Sequence, residues 1–217
     1  MTIAPSVRCP LCHGSTLTHY HQDKKRPYLQ CQTCLLISVP KAYYLSAADE
    51  KAVYDLHDND CADEGYRRFL SRSLTPVLNR VPSSAHGLDF GCGAGAVLSL
   101  MAKELGVQIT NYDLYYFNDP QCLNKQYDFI TLTEVIEHVS DAHALLRQLD
   151  QLLVAGGILA VMTKRALDLA AFMRWHYKND PTHINFYSET TFQWIATEFQ
   201  WQLDIVDSDV VIFTKTA

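Results

Sequence analysis

The sequence predicts an α/β protein with a mostly parallel sheet that carries helices on both faces. From residue 86 onward, short apolar runs alternate with segments whose apolar residues repeat at helical spacing. A glycine-rich turn follows the first of these runs, as it does where a strand of such a sheet leads into a helix. With 217 residues, of which 48% are apolar and 19% charged, the chain can bury one sizeable core and carry a small appendage.

The predicted elements come in the order that this fold requires. A strand at residues 88–90 leads through the glycine turn into an amphipathic helix. Later strands are predicted at 107–114, 127–135, 156–163, 201–206 and 209–214, with helices at 141–153 and 189–199. Ligands of parallel sheets bind at the carboxyl ends of the strands. We therefore expect the chemistry just after four strand ends: Phe90, Asp113, Thr133 and Thr163.

Four cysteines near the N-terminus form two CxxC pairs separated by eighteen residues: Cys9, Cys12, Cys31 and Cys34. Two thiolates on one tight turn can hold a metal ion from one side, and a second pair completes the tetrahedron that zinc prefers. Four thiolates saturate the ion, so the site is expected to be structural. The alternative interpretation is that the four cysteines are two redox-active or unrelated thiol pairs.

These patterns divide the chain into three parts. Residues 1–40 are expected to form a zinc ribbon that folds around its metal, since a segment this short has little core of its own. Residues 41–85 have two helical patterns and are expected to be a linker, or a lid over a binding site. The α/β domain is then expected to occupy residues 86–217.

The charge is distributed unevenly, with a net charge of +4 over residues 1–41 and −10 over the rest. A nucleic-acid track across the acidic body is therefore not expected, because phosphate binding requires clustered basic residues. Lys24, Lys25 and Arg26 could contact RNA, or could form a solvated turn or pair with the acidic residues at 49–64. No transmembrane or secretory pattern is found, so a cytoplasmic location is expected.

Glycines and acids mark the expected ligand site. Gly91, Gly93 and Gly95 would let the backbone turn sharply and approach a nucleotide-like ligand closely. These glycines alone also fit a dinucleotide fingerprint, but two acids add to the pattern. Asp89 would face a cationic ligand, and the two oxygens of Asp113 could accept both hydroxyls of a ribose.

These residues resemble the class I S-adenosylmethionine-dependent methyltransferases over residues 86–217. LDFGCGAG (88–95) looks like their first motif, NYDLYY (111–116) like their ribose-binding acid, and YDFITLTEVIEHV (127–139) like their fourth-strand motif. Residues 175–192 resemble a bacterial branch that often carries an N-terminal CxxC ribbon. The resemblance implies a seven-stranded Rossmann-like sheet and S-adenosylmethionine as cofactor. The residues it assigns to the cofactor are Asp89, Gly91, Cys92, Gly93, Gly95, Asp113, Leu114, Thr133 and Glu134.

The sequence departs from that family between the second and third strands. Only thirteen residues, 114–126, stand where the family fits a helix and a further strand. That strand is expected to be shortened or missing. Adenine is then expected to pack on Leu114, Tyr115 or Phe117, which follow the ribose acid.

Methyl transfer depends mainly on positioning, so the expected catalytic residues are those that would orient an acceptor: Glu134, His138 and His183. Glu137 and His138 could instead cap or brace the following helix. His183 could equally be a hydrogen-bonded structural histidine.

Three functions compete at this point. The first is methyl transfer from S-adenosylmethionine to an unidentified acceptor, either a small metabolite or RNA. The second is a non-catalytic zinc-ribbon adaptor whose body binds the cofactor. The third, a nicotinamide-dependent dehydrogenase, would need a proton donor that the sequence does not offer. No membrane partner is expected, and the sequence leaves the oligomeric state open.

Overall fold

The described residues, 7–56 and 59–216 of this computed structural model, form two sheets and the helices that cover them. The strands are β1 (Leu17–Gln22), β2 (Pro27–Cys31), β3 (Ile37–Ser38), β4 (His86–Phe90), β5 (Gln108–Tyr112), β6 (Tyr127–Thr133), β7 (Leu153–Met162), β8 (Asn185–Phe186), β9 (Trp201–Ile205) and β10 (Val210–Lys215). The helices are α1 (Ala47–Tyr54), α2 (Glu64–Leu78), α3 (Val97–Glu104), α4 (Ala142–Leu152), α5 (Leu169–Arg174) and α6 (Glu189–Phe199). Short 3-10 turns lie at Lys41–Tyr43, Pro120–Asn124, Ile136–His138 and His176–Asn179.

The central sheet has the strand order β5-β4-β6-β7-β10-β9. β4, β5, β6 and β7 run parallel, and β10 runs antiparallel to both β7 and β9. Helices α2 and α3 pack on one face through residues such as Leu74 and Val97, and α4 and α6 pack on the other through Leu146 and Ile195. The prediction of a mostly parallel sheet with helices on both faces is confirmed.

The expected count of seven strands is wrong, because six strands form this sheet within the described ranges. The chain between β5 and β6 makes a tight turn in which Asp113 and Phe117 exchange backbone hydrogen bonds of 3.1 and 3.2 Å. It then forms the 3-10 turn Pro120–Asn124 and enters β6. Residues 114–126 are too few for a crossover helix and another parallel strand, so the shortening expected from their number is confirmed.

The cysteine-bearing region belongs to the second sheet, whose order is β1-β2-β3-β8. Its last strand comes from the far end of the chain: Ile37 pairs with Phe186, and Ser38 with Asn185. The cysteine side chains share one apolar cluster with residues of the central sheet and of α4. This region therefore packs as part of the body, and the division at residues 40 and 85 stays a prediction.

Arg26 anchors the turn between β1 and β2 to the loop before β8. Its side chain is 5% exposed, and Nη2 lies 2.8 to 2.9 Å from the carbonyl oxygens of Lys178, Asp180 and His183. Nη1 donates a further hydrogen bond to the carbonyl of Pro181 at 3.1 Å. A guanidinium with this many fixed donors holds four carbonyls of one loop in place.

The linker forms the two helices expected from its patterns. Ser46 caps α1 and Asp63 caps α2, each by accepting backbone hydrogen bonds. Leu70, Leu74 and Val77 of α2 are buried against the sheet. In the part of the chain that the structure describes, no helix combines the length and apolar character needed to cross a membrane.

We expect Arg26→Met to lower the free energy of unfolding by about 2 to 4 kcal/mol, because it leaves several carbonyls without their donor inside the protein. Urea denaturation monitored by tryptophan fluorescence measures this change. Lys25→Met is the matched control, since Lys25 is exposed and donates one hydrogen bond of 3.3 Å to Asn179. Equal stability of the two variants would show that the anchor contributes little.

Candidate functional site

A cleft of about 1470 Å³ opens at the carboxyl ends of β4, β5 and β6. It is larger than the 300 to 1,000 Å³ of typical small-ligand pockets, so it has room for two molecules side by side. Its walls come from the glycine turn after β4, the turn after β5, the segment after β6, helix α1 and the loop before β8. Three of the four strand ends where the chemistry was expected line the cleft, namely Phe90, Asp113 and Thr133, whereas Thr163 does not.

The glycine turn bends directly after β4. Gly91 has φ +80° and donates its N–H to the carbonyl of Tyr112 at 2.7 Å, and a Cβ there would lie 2.4 Å from Cγ2 of Val135. Gly93 has φ +64°. Both conformations favour glycine. At these two positions the cleft is therefore lined by backbone and not by a side chain.

Gly95 has a different role from the other two glycines. It is not among the residues that line the cleft, and a Cβ there would lie 2.5 Å from the carbonyl oxygen of Asn59. Its small size lets the segment that precedes α2 pack onto the turn. Cys92 does line the cleft and is half-buried. Burial raises the pKa of its thiol, which favours the protonated form.

Asp113 fixes the turn that faces the glycines. One of its carboxylate oxygens accepts the N–H of Gly93 at 3.0 Å, and the other accepts those of Tyr115 and Tyr116 at 2.8 and 3.1 Å. The residue is 9% exposed and lines the cleft. Three of the four lone-pair sites of the carboxylate are taken by these N–H groups, so the group can still accept one hydrogen bond from a ligand in the cleft.

Asp89 lies at the floor of the cleft and accepts a hydrogen bond of 2.8 Å from the Thr131 hydroxyl. Burial, with a smaller contribution from the Asp113 carboxylate, raises the pKa of Asp89 to about 7. A cation near it would favour its ionised form. A positively charged ligand in the cleft would therefore be stabilised by Asp89 once that carboxyl group is ionised.

Helix α1 forms one wall of the cleft and is tied to the turn after β5. The hydroxyl of Tyr115 donates to Glu50 at 2.6 Å, and that of Tyr116 donates to Asp55 at 2.7 Å. Tyr66 and Phe69 of α2 also line the cleft, and Leu114 lines it with 60% of its surface exposed. The linker therefore takes part in the cleft as well as covering the sheet.

A half-buried glutamate, Glu134, and a buried one, Glu137, lie just after β6. Thr133 ends the strand, and Glu134 follows it in the left-handed region with φ +52°, a strained conformation for this residue. The hydroxyl of Tyr177 contacts the carboxylates of both Glu134 and Glu137, and lies 3.1 Å from the hydroxyl of Thr163. Burial raises the pKa of both glutamates, and the Glu134 charge raises that of Glu137 further.

Two histidines complete this end of the cleft. The rings of His138 and His183 lie 4.7 Å apart between centroids, and both residues line the cleft. Nδ1 of His138 is 3.2 Å from the carbonyl of Thr182, and Nδ1 of His183 is 2.8 Å from that of Tyr177. All three residues that the sequence suggested for catalysis, Glu134, His138 and His183, line this cleft.

Sequence reasoning underestimated two residues of this site. Glu137 does not cap the next helix, because Asp141 is the residue that caps α4. Glu137 is fully buried, and Tyr177, whose hydroxyl links it to Glu134, is 7% exposed. The spacing of Glu134, Glu137 and His138 was the only signal in the sequence, and nothing in it located the partner Tyr177 more than forty residues away. Trp175 and Phe186 pack with Phe172 around β8, in the core.

The four cysteines of the CxxC pairs come together as expected. Their Sγ atoms all lie within 4.8 Å of one another, with 3.4 Å between Cys9 and Cys34 and 3.3 Å between Cys12 and Cys31. The flank of this cluster is covered by Leu11, Leu36 and other residues of the main core. Tyr28, which lies in the hairpin between the two CxxC pairs, packs on Phe172 and Phe186.

Comparisons with known proteins agree with this architecture. A family model described as a methyltransferase domain matches residues 62–205, about two thirds of the chain. The search of curated proteins finds no match. Three solved structures share the fold, each at low sequence identity. Magnesium protoporphyrin IX methyltransferase from Synechocystis PCC 6803, with bound S-adenosylhomocysteine, has a TM-score of 0.55 at 13% identity, covering 81% of this chain and 98% of its own.

The second structure is 1,6-didemethyltoxoflavin-N1-methyltransferase from Burkholderia thailandensis, with TM-score 0.54 and 13% identity over 92% of this chain and 99% of its own. The third is human N-acetylserotonin methyltransferase in complex with S-adenosylmethionine, with TM-score 0.53 and 15% identity over 78% of this chain and 55% of its own. The family match extends across the glycine turn, Asp113 and the glutamate pair. The chain therefore belongs to the class I S-adenosylmethionine-dependent methyltransferases.

Proposed function

We propose that the cleft binds S-adenosylmethionine across the glycine turn and transfers its methyl group to a small molecule at the end lined by Glu134, His138 and His183. The observation that carries this proposal is the Asp113 carboxylate, which lines the cleft, is held by three backbone N–H groups and keeps one lone-pair site open. Such a group is suited to accept one hydroxyl of a ribose. Gly91 and Gly93 leave space beside it for the rest of the cofactor.

The chemistry asked of the protein is mainly positioning. The methyl group moves from the sulfonium sulfur to a lone pair of the acceptor, the carbon–sulfur bond breaks, and S-adenosylhomocysteine leaves. The protein must hold the acceptor atom about 3 to 3.5 Å from the methyl carbon and in line with the breaking bond. If the acceptor loses a proton, the buried carboxylates and the two imidazoles are the bases within reach.

The electrostatics of the cleft favour a small acceptor over RNA. Arg26, the centre of the basic run, is buried and bonded to carbonyls, so it is not part of a phosphate-binding surface. Acids line the cleft on several sides, among them Glu50, Asp141 and Asp180. This negative field attracts the cationic cofactor and repels a phosphate backbone.

We further propose that Cys9, Cys12, Cys31 and Cys34 hold a structural zinc ion. A Zn–S distance of about 2.3 Å places the sulfurs of a tetrahedral site about 3.8 Å apart. The observed separations, 3.3 and 3.4 Å within the closest pairs and at most 4.8 Å overall, fit this size. The ion would tie the two CxxC turns together beside the sheet that carries β8.

We expect Asp113→Asn to weaken the binding of S-adenosylhomocysteine about tenfold or more, because it removes a charged acceptor and presents N–H groups to the backbone donors around it. Isothermal titration calorimetry measures the affinity. Asp119→Asn is the matched control: Asp119 lies in the same turn region, accepts the N–H of Gln121, and does not line the cleft. The proposal fails if the two variants bind the ligand with the same affinity.

We expect Cys31→Ser to lose one equivalent of zinc relative to Cys61→Ser, and to lower the melting temperature by about 5 °C or more. Cys31 is buried within the cluster, whereas Cys61 is exposed and outside it. Elemental analysis and differential scanning calorimetry give the two readouts. Equal zinc content in the two variants would contradict the proposed four-thiolate zinc site.

A further inference from the structure

We propose that Glu137, His138 and His183 form a second metal site, for a divalent transition-metal ion, at the acceptor end of the cleft. One ligand atom from each of the three residues lies within 4.8 Å of the others. Ligands about 2.1 Å from a shared ion are about 3.0 to 3.5 Å apart, so movements of about 1 Å close the site around it. Two imidazoles and a carboxylate are ligands that suit Mn²⁺, Fe²⁺, Co²⁺ or Zn²⁺.

Unsatisfied buried charge is the main argument for a cation here. Oε2 of Glu137 is buried and has no hydrogen-bond partner among the described residues, and the same holds for Oε1 of Glu134. Glu137 as a whole is fully buried, and its other oxygen is taken by the hydroxyl of Tyr177. Two neighbouring carboxylates in such a place are costly unless an opposite charge or a proton compensates them.

The orientation of the two rings fits metal binding. Each Nδ1 faces a backbone carbonyl, which can only accept, so each Nδ1 carries a hydrogen. In a neutral ring the lone pair then resides on Nε2, the atom that would ligate. A ligating histidine usually donates its other N–H to a carbonyl or carboxylate in this way. The Asp180 carboxylate, 3.8 Å from Nε2 of His183, adds negative charge beside the site.

The fold holds these ligands in position from both sides. The N–H of Ile184, next to His183, donates to the carbonyl of Glu137 at 2.9 Å. Arg26 binds the carbonyl of His183 itself. The three residues are therefore fixed relative to one another by the backbone and by a buried guanidinium, which lowers the cost of assembling a site.

This site differs in chemistry from the four cysteines. Thiolates select zinc, whereas imidazole and carboxylate ligands also accept harder ions such as Mn²⁺. The role of the second ion rests on the proposed function: it would bind an acceptor that presents a hydroxyl oxygen and favour transfer of that hydroxyl's proton to Glu134, the neighbouring carboxylate that is not a ligand. The binding of the metal itself does not depend on methyl transfer.

The test is a titration of the full chain with Mn²⁺ alone, after a brief chelator wash that leaves one equivalent of zinc. Free Mn²⁺ is followed by its electron paramagnetic resonance signal. We expect one Mn²⁺ bound per chain, and affinity lower by about tenfold or more in both His138→Gln and His183→Gln. His176→Gln, an exposed residue seven positions before His183, is the matched control and is expected to bind like the wild type.

Circular dichroism of each variant establishes that it is folded, and calorimetry with S-adenosylhomocysteine is run on the same samples. The metal proposal is overturned if the wild type binds no Mn²⁺ at about 1 mM, or if both histidine variants bind it as the wild type does. Metal binding without any binding of S-adenosylhomocysteine would instead contradict the proposed function, so the two failures are distinguishable.

Discussion

The contact between the cysteine-bearing sheet and the loop before β8 is the constraint on which the site depends. β3 pairs with β8, and the buried guanidinium of Arg26 donates hydrogen bonds to carbonyls of the loop that precedes β8. Because His183 lies in this loop and Ile184 bonds to Glu137, the N-terminal region sets the position of residues at the far end of the cleft. A structural metal in that region would act on catalysis only by stabilising this contact.

The two ends of the cleft are organised by different means. At the proposed cofactor end, the carboxylate of Asp113 accepts hydrogen bonds from backbone N–H groups. These bonds hold the turn after β5 in place before a ligand binds. At the acceptor end, Glu134 and Glu137 share one phenol hydroxyl and retain unpaired oxygens within the described chain. The first arrangement favours neutral hydroxyl donors, and the second favours a proton or a cation.

Much of the fold could be predicted from the sequence, because local patterns determine it. Alternating strands and helices, the glycine turn and the CxxC spacing each depend on residues close together in the chain. The contacts missed were long-range. Nothing in the run of Lys24 to Arg26 indicates that Arg26 turns inward, because its partners are carbonyls about 155 residues away. The same is true of Tyr177, whose partners lie after β6. The missing seventh strand could be inferred because it depends only on the number of residues between two strands.

The central claim is that the glycine turn and Asp113 hold the cofactor with its sulfur toward Glu134 and His183. A crystal structure of the full chain with S-adenosylhomocysteine tests it most directly. The account predicts a ribose hydroxyl on the Asp113 carboxylate and the sulfur on the side of the two histidines. An ordered ligand bound elsewhere, or an empty glycine turn at saturating ligand, would contradict it.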